Sequence, residues 1–277
     1  MGEITQGSII CGVRSNLYPN ENCCAIIISA RCDLAQKKTE KVFYLEALPL
    51  NRWLISKKGI GTLSIATKNN KRNSLKNYCD KAGLDVDTLL SFSEEDARLV
   101  ILDPDLHLSK KDRDGLMEGY QECKYISELN KGVDALSWLL GKDKGVKKRI
   151  KEIVDGNNLH LCFIPEDAYK KNGCLNDGFI IDLQQIDCFT VEEIEMIEKC
   201  QIDSKTLNNE DATRYDAKFC LSMEPGYAIA IECITSPWIE YVMQKFSNSF
   251  IRIGVDNMQD KHIEQFLSKY GYNKEAI

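Results

Sequence analysis

Short hydrophobic runs separated by polar turns make up the first fifty residues. The runs are "GSIICGV" at 7–13, "CCAIIIS" at 23–29 and "KVFYLEALPL" at 41–50, and the segments between them are rich in Pro, Asn, Asp and Lys. Runs of β-branched and aromatic residues with such boundaries are typical of β-strands. Three strands at this close spacing predict a meander or a small barrel.

The hydrophobic period changes to that of helices between 51 and 158. One apolar series recurs at three- and four-residue steps and comprises Leu116, Tyr120, Cys123, Ile126 and Leu129. This spacing predicts an amphipathic helix. Gly83 would end an earlier helix, and Ser93 or Ser91 would cap the start of another. We therefore predict a mostly helical insertion over 51–158.

Strand-like runs return at 159–198 and lead into another helix. Thr190 followed three residues later by Glu193 has the sequence signature of a capping box. This pattern predicts that a short acidic helix begins directly after the last strand of the segment.

The remainder of the chain, 199–277, is predicted to be a C-terminal helical region. Ser236 would be an N-cap with Pro237 at the first helical position, and 260–272 has the pattern of a terminal amphipathic helix. Periodicity leaves 218–234 open between a further strand and the start of a helical unit.

The order of the β segments carries a family resemblance. "GSII" is followed by a strand ending in serine, "AIIIS", and by a strand running toward proline, "FYLEALPL"; later comes "GCLNDGFIIDLQQIDCFTVEEI". This order resembles PemK/MazF-like proteins, which have a compact SH3-like β-barrel and include many sequence-specific endoribonuclease toxins. The resemblance implies an α+β chain in which 1–50 and 159–198 form a small SH3-like β-barrel, split by the helical insertion and packed by the C-terminal helices.

The chain departs from the family pattern at the functional positions. Toxin members typically carry Arg-Pro before the strand that corresponds to "AIIIS", and here those positions are Cys23 and Cys24. A threonine or serine usually follows the proline of the next strand, and here it is Leu50. Only Ser29 matches. The segment "SPWIEYVMQKFSNSFIRIGV" also resembles parts of uncharacterised prokaryotic proteins, which implies a bacterial or phage-linked setting.

Four residues after the second predicted strand are candidates for catalysis: Ser29, Arg31, Cys32 and Asp33. Metal-free RNA cleavage needs a base for the 2′-hydroxyl and a cation for the developing phosphorane charge, and these residue types could serve. Neighbours on an extended strand point to opposite faces, so the residues converge only if the chain turns there. The alternative is an ordinary turn in which Asp33 binds backbone amides and Arg31 pairs at the surface.

A basic run between 57 and 81 contains seven Lys or Arg residues and one Asp. Within it, the candidates for phosphate contacts are Lys68, Lys71, Arg72 and Lys76. A solvated loop is the ordinary explanation of such a run. A third interpretation is docking on an acidic partner, including the acidic segment 192–211 of a second copy, which would make a homodimer.

Composition limits the remaining possibilities. The net charge of −6, with 43% hydrophobic and 28% charged residues, is that of a soluble globular protein and disfavours a dedicated nucleic-acid-coating protein. The absence of a long apolar window and of a secretory signal predicts a cytoplasmic protein without membrane contact. The twelve cysteines include no C-x-x-C pair, so we predict reduced, structural cysteines.

Metal and cofactor sites are not predicted. Asp103, Asp105 and His107 alternate in "DPDLH" and could surround a divalent ion, but a proline-containing turn is the favoured interpretation. His160 with Cys162 is a second minority candidate. Nucleophile-elbow, P-loop, dinucleotide and H-E-x-x-H motifs do not occur in the sequence.

Two functional hypotheses follow. The first is a bacterial toxin-like or phage-defence protein that binds RNA and could cut it as a metal-independent endoribonuclease, with a protein partner or antitoxin. The second is a non-enzymatic adaptor or sensor on the same fold that recognises a protein partner in a multi-component defence system. The missing family arginine favours the second hypothesis, and the basic run favours the first.

Overall fold

A single antiparallel sheet organises the chain. The computed structural model describes residues 3–169, 178–224 and 226–253, which form an α+β structure as predicted. The strands are β1 (Ser8–Val13), β2 (Cys23–Ile27), β3 (Lys41–Pro49), β4 (Leu161–Ile164), β5 (Phe179–Thr190) and β6 (Ile229–Cys233). Their order in the sheet is β4-β5-β3-β2-β1-β6.

Eleven α-helices accompany the sheet in the described residues. They are α1 (Arg31–Ala35), α2 (Leu50–Ile55), α3 (Lys57–Ala82), α4 (Val86–Ser91), α5 (Glu94–Leu102), α6 (Lys110–Glu128), α7 (Val133–Lys142), α8 (Gly145–Val154), α9 (Val191–Glu198), α10 (Asn209–Asp216) and α11 (Trp238–Ile253). Helices α2 to α8 lie between β3 and β4, where the sequence predicts helical structure. The division of the chain into domains stays a prediction.

The sheet is open, and the SH3-like barrel predicted from the sequence is not shown. Strands β4 and β6 form the two edges, and no ladder joins them in the described residues. An isolated antiparallel bridge links Tyr169 with Ile234 just beyond these strands. The sequence signals for individual strands could not reveal this, because closure depends on how the first and last strands meet.

The central strands are buried on both faces of the sheet. Ile9 and Ile26 are register partners and pack in one core with α11, whereas Ile10 and Ala25 pack in the opposite core with α9. Successive strand residues point to opposite faces, so a strand covered on both faces must be apolar at every position. This explains why "CCAII" is a continuous apolar run.

The helices between β3 and β4 use two further cores. The core nearer the sheet joins Trp53 and Leu63 to Leu48 and Ile180 of the sheet, together with parts of α7 and α8. The farther core lies between the C-terminal half of α3 and helices α4, α5 and α6. Helix α3 spans both, so it connects the sheet to the outer helices.

The helix boundaries confirm several sequence signals. Gly83 ends α3 in a left-handed conformation with φ of 66°. Ser93 caps α5, and Thr190 and Glu193 form the predicted capping box of α9. One boundary differs by a residue: α6 ends at Glu128, so Leu129, the last residue of the predicted apolar series, is its C-cap, and α7 begins at Val133.

The C-terminal region contains both helix and strand. The undecided segment 218–234 supplies β6, which pairs with β1, so a wholly helical region is not what the structure shows. Helix α11 begins at Trp238, one residue later than predicted, after a cis Ser236–Pro237 peptide bond. The predicted helix at 260–272 lies outside the described residues. In the part of the chain described, no helix is long and apolar enough to span a membrane.

Candidate functional site

Ser29 lies where β2 has ended, and its hydroxyl serves the backbone. Its Oγ accepts a hydrogen bond from the backbone N–H of Phe43 at 2.8 Å. The side chain therefore ties the end of β2 to β3. The match of Ser29 to the family pattern thus falls on a residue with a structural contact.

Arg31, Cys32 and Asp33 form the first turn of α1 and are exposed to solvent. The chain turns after β2, as convergence would require, but it turns into a helix in which neighbouring residues point about 100° apart. Cys32 Sγ lies 3.5 Å from Asp33 Oδ1, and Arg31 forms no ion pair within the described residues. Cys32 and Asp33 are therefore in contact, whereas no ion pair joins Arg31 to them in the part of the chain described.

The depression beside α1 is small. It lies between α1 and α9, with Asp33 and Leu34 on one side and Ile194 and Glu195 on the other, and its volume is about 60 Å³. Ligand pockets of ordinary size are about 300–1,000 Å³. The depression has no room for a nucleotide.

The four predicted phosphate-binding residues all lie on α3, but they do not share one environment. Lys71 forms an ion pair with Glu122 of α6 at 2.6 Å. Arg72 donates to both carboxylate oxygens of Asp87 at 2.6 Å. Internal carboxylates therefore neutralise two of the four.

Lys68 and Lys76 remain available. Both are exposed, and neither forms an ion pair in the part of the chain described. They form a row at four-residue steps along one side of α3 with Arg72, whose charge Asp87 neutralises, and successive positions lie about 6 Å apart along the axis.

A second basic run lies next to α3. Residues 142–151 contain six Lys or Arg residues and one Asp, and they form the end of α7 and most of α8. Arg149 donates to Thr67 Oγ1 at 3.0 Å and to Asp143 Oδ2 at 2.9 Å, and the Thr67 hydroxyl donates to the same carboxylate at 2.6 Å. These bonds hold α8 against α3.

The α3/α8 basic surface, defined as the exposed cations of 57–76 and 142–151, is therefore a product of the fold. Its lysines Lys144, Lys147 and Lys151 are exposed and have no ion pair among the described residues. The sequence predicts helical structure in this region, but it does not indicate that α8 packs beside Thr67, about eighty residues earlier. Sequence reasoning therefore placed only the α3 half of the surface.

Asp143 is the acidic centre of the contact between the two runs. It also accepts a hydrogen bond from the backbone N–H of Gly145 at 2.7 Å. The hydrogen bonds from Thr67 and Arg149 lower the pKa of Asp143 to about 2. The carboxylate therefore stays ionised and compensates Arg149, while Lys142 and Lys148 pair with glutamates, which leaves Lys144, Lys147 and Lys151 as the net positive charge of this run.

A groove of about 400 Å³ opens on the face of β1, β2 and β6. Its walls include Ile229 and Ile231 of β6, and Arg52 and Glu21 lie at its rim, with 3.6 Å between their charged atoms. Such a volume and an apolar lining with a few polar groups are typical of ligand-binding clefts.

A disulfide bond between Cys11 and Cys24 lies in this groove. The expectation that the cysteines are reduced is therefore wrong for these two residues. It is met by seven other described cysteines, which are free: Cys23, Cys32, Cys79, Cys123, Cys162, Cys188 and Cys220. Spacing along the sequence could not show that Cys11 and Cys24 are register partners on adjacent strands.

Buried polar side chains gather where the sheet meets α3. The Ser15 hydroxyl donates to Glu46, and Lys58 forms an ion pair with Asp182, which is 1% exposed. Burial raises the pKa of the Glu46 carboxyl. Ser15 also accepts from the backbone N–H groups of Leu17 and Tyr18. The Ser15 hydroxyl is thus fully engaged in holding a turn, and the cluster is a structural one.

The minority metal candidates gain no support. Asp103 accepts a hydrogen bond from the backbone N–H of Asp105, in a short turn before His107. This geometry is that of the favoured turn. Within the described ranges, no group of three or more His, Cys, Asp or Glu side chains could hold a metal ion.

The chain has no match of significance among protein-family models, curated proteins or solved structures.

Proposed function

We propose that this protein binds RNA through the α3/α8 basic surface, in a bacterial toxin-like or phage-defence setting. One observation carries the proposal: two basic runs that are far apart in the sequence pack together through Thr67, Asp143 and Arg149. Together, 57–76 and 142–151 contain twelve Lys or Arg residues. Six of them are exposed and have no ion pair among the described residues: Lys57, Lys68, Lys76, Lys144, Lys147 and Lys151. A local concentration of cations on an acidic protein favours a polyanionic ligand.

The expected binding mode is contact with the phosphate backbone. The row of Lys68, Arg72 and Lys76 contains no aromatic residue on which a base could stack. Lysine and arginine contacts to phosphates release counterions and carry little sequence information. We therefore expect affinity that falls steeply with salt and depends weakly on sequence.

Fluorescence anisotropy with labelled single-stranded RNA over a salt series tests the proposal. The double variant K68E/K147E should bind at least about tenfold more weakly, and its slope of log K against log salt should fall by about 1.4, or about 0.7 for each phosphate that is no longer neutralised. The matched control is K110E/K111E, which reverses two exposed lysines near the other end of α3. Equally weakened binding by both variants, or no binding by the wild type at low salt, would contradict the proposal.

Cleavage at the α1 turn stays a separate prediction. Incubation of total RNA with the wild type, R31A and C32A tests it directly. Cleavage that is abolished in both variants would assign catalysis to the turn. Arg31 forms no ion pair with Asp33, and the depression of about 60 Å³ beside α1 has no room for a nucleotide, which favours binding without cleavage.

The adaptor hypothesis has an observation of its own. Phe43 and Ile186 are 44% and 40% exposed, and they lie on the same face of β3 and β5 because Phe43 pairs with Cys188 and Leu45 with Ile186. Exposed apolar neighbours of this kind are common in protein interfaces.

Copurification with a tagged chain from its native host distinguishes the adaptor from the RNA-binding protein. A stoichiometric protein partner that is absent with F43S but kept with L99S would support the adaptor. Leu99 is the matched control because it is apolar and 69% exposed on α5. Retention of the partner by F43S would count against this face.

A further inference from the structure

We propose that Cys11 and Cys24 form a reversible dithiol–disulfide pair that thiols reach through the groove on β1, β2 and β6. This inference does not rest on the RNA-binding proposal. It assigns a redox modification site to residues that the sequence predicts to be reduced and structural.

The sheet register places the two sulfurs together. Cys11 of β1 lies directly opposite Cys24 of β2, with 4.2 Å between their Cα atoms. This is near the separation of a non-hydrogen-bonded pair in antiparallel strands, in which facing side chains lie closest. The pair therefore forms or opens without any rearrangement of the strands.

Strand alternation separates this pair from the other thiols nearby. Cys23 precedes Cys24 and so points to the opposite face of β2, where its sulfur lies 3.8 Å from the carbonyl oxygen of Glu21. Cys220 Sγ lies 3.8 Å from the same oxygen. Cys23 and Cys220 are both free. Exchange at Cys11–Cys24 consequently cannot pass to them through the sheet.

The two sulfurs differ in access. Cys11 is partly exposed and Cys24 is 2% exposed, and both line the groove of about 400 Å³. A small thiol can enter a groove of this size, and it meets Cys11 first. The direction of exchange is thereby fixed: the incoming thiolate attacks the Cys11 sulfur.

The chemistry balances with a thiol reductant as the co-reactant. Attack breaks the Cys11–Cys24 bond and forms a mixed disulfide on Cys11, while Cys24 leaves as a thiolate and takes up a proton. A second thiol then displaces Cys11, so that two thiols become one external disulfide and the protein gains two thiols. The reverse reaction needs a disulfide oxidant of the same class.

The state of the other cysteines supports reversibility. Cys32 is exposed and free. A free exposed thiol fits the reducing cytoplasm predicted from the sequence, where disulfides are usually transient and functional. One disulfide beside seven free cysteines in the described chain is therefore better explained as a redox pair than as a permanent crosslink.

Differential alkylation of the folded wild-type protein tests the pair. The protein is treated with dithiothreitol or with diamide, alkylated without denaturant and analysed by peptide mass spectrometry. Cys11 should be labelled readily after dithiothreitol and Cys24 only slowly, both should be protected after diamide, and buried Cys23 should keep the same labelling in both states. Labelling of Cys11 only after unfolding in urea would show a structural crosslink and overturn the proposal. Full labelling after diamide would show independent thiols and would also overturn it.

Single variants test the direction of attack. With an aromatic disulfide reagent, Cys11 in C24S should form a mixed disulfide at least about tenfold faster than Cys24 in C11S, because only Cys11 is accessible. Circular dichroism of both variants establishes that they are folded. Equal rates in two folded variants would overturn the assignment of Cys11 as the attacked sulfur.

Discussion

At the scale of single residues, the carboxylate of Asp143 is the hydrogen-bond acceptor that holds the two halves of the basic surface together. It receives hydrogen bonds from Thr67, Gly145 and Arg149, so two basic runs depend on one acceptor. The carboxylate of Asp143 must be ionised in this contact, because the guanidinium of Arg149 would otherwise lack its compensating charge.

We expect D143N to lower the free energy of unfolding at pH 7 by about 1 kcal/mol, a value reduced for partial solvent exposure. The pKa of Asp143 is lowered to about 2, so its contribution is full above the unfolded pKa of about 4 and is lost as the pH falls toward 2. Urea unfolding of both proteins between pH 7 and pH 2 measures this. D114N, at an exposed position, is the control; an equal destabilisation of both variants would contradict the role of Asp143.

The contribution of Glu46 to the stability of the fold should depend on pH in the opposite direction to that of Asp143. Burial raises the pKa of its carboxyl, so ionisation costs stability as the pH rises from the unfolded value of about 4.3 through the folded value. We expect E46Q to be more stable than the wild type at pH 8 and to lose this advantage below pH 4. Thermal unfolding across this range is the measurement, and a wild type that is the more stable at pH 8 would refute the expectation.

Single residues in the sequence correctly predicted structural features that depend only on local backbone geometry. The caps at Ser93 and Thr190 and the end of a helix at Gly83 were predictable because each acts within one turn of a helix. The candidate catalytic turn was predictable as a turn. Its helical form, in which Cys32 contacts Asp33 and Arg31 pairs with neither of them, was not.

At the scale of elements, α3 shows how a sequence pattern can conceal a helix. The sequence predicts only its last part, because polar residues dominate 65–74 and the basic run is also compatible with a loop. The structure makes all of 57–82 one helix, which Ser56 caps by accepting from the N–H of Gly59 at 3.0 Å. Packing on two cores stabilises it where helical periodicity is weak.

The β1–β2 hairpin yields a prediction about the redox pair. The disulfide joins residues separated by 13 positions. Closing a loop of about this length stabilises a fold by about 3 kcal/mol through the entropy of the unfolded chain. Urea unfolding with and without dithiothreitol should therefore differ by about 2–4 kcal/mol in the wild type.

The variant C11S/C24S supplies the control for that comparison. It should unfold at the same urea concentration with and without dithiothreitol, because the reductant has no disulfide to open. A reductant effect that persists in this variant would locate the relevant disulfide elsewhere in the chain.

At the scale of the whole molecule, charge is distributed unevenly along the sequence. The acidic segment 192–211 was a candidate partner for the basic run of a second copy. Much of its charge is internally paired: Glu193 with Lys218, Glu195 with Lys37 and Glu192 with Arg214. Intramolecular pairing leaves less free charge for a homodimer of this kind, which favours an external polyanion as the ligand of the basic surface.

The α+β class was predictable from the change of hydrophobic period along the chain, whereas the open sheet was not. Strand order depends on contacts such as β1 with β6, which join residues more than two hundred positions apart. Hydrophobic periodicity reports the face that a strand buries and carries no information about its neighbour.

Hydrophobic periodicity also does not show whether the helical insertion packs on the sheet or forms a separate domain. The structure allows this to be predicted. Leu63 of α3 shares a core with Leu48 and Ile180 of the sheet, so the inner half of the helical insertion is packed on the strands.

We expect one cooperative unfolding transition, with coincident curves from far-ultraviolet circular dichroism and tryptophan fluorescence. L63A should shift both curves together and cost about 2–5 kcal/mol. L89A, in the outer core, is the comparison. A helical insertion that folds independently would instead give two transitions, and L63A would move only one of them.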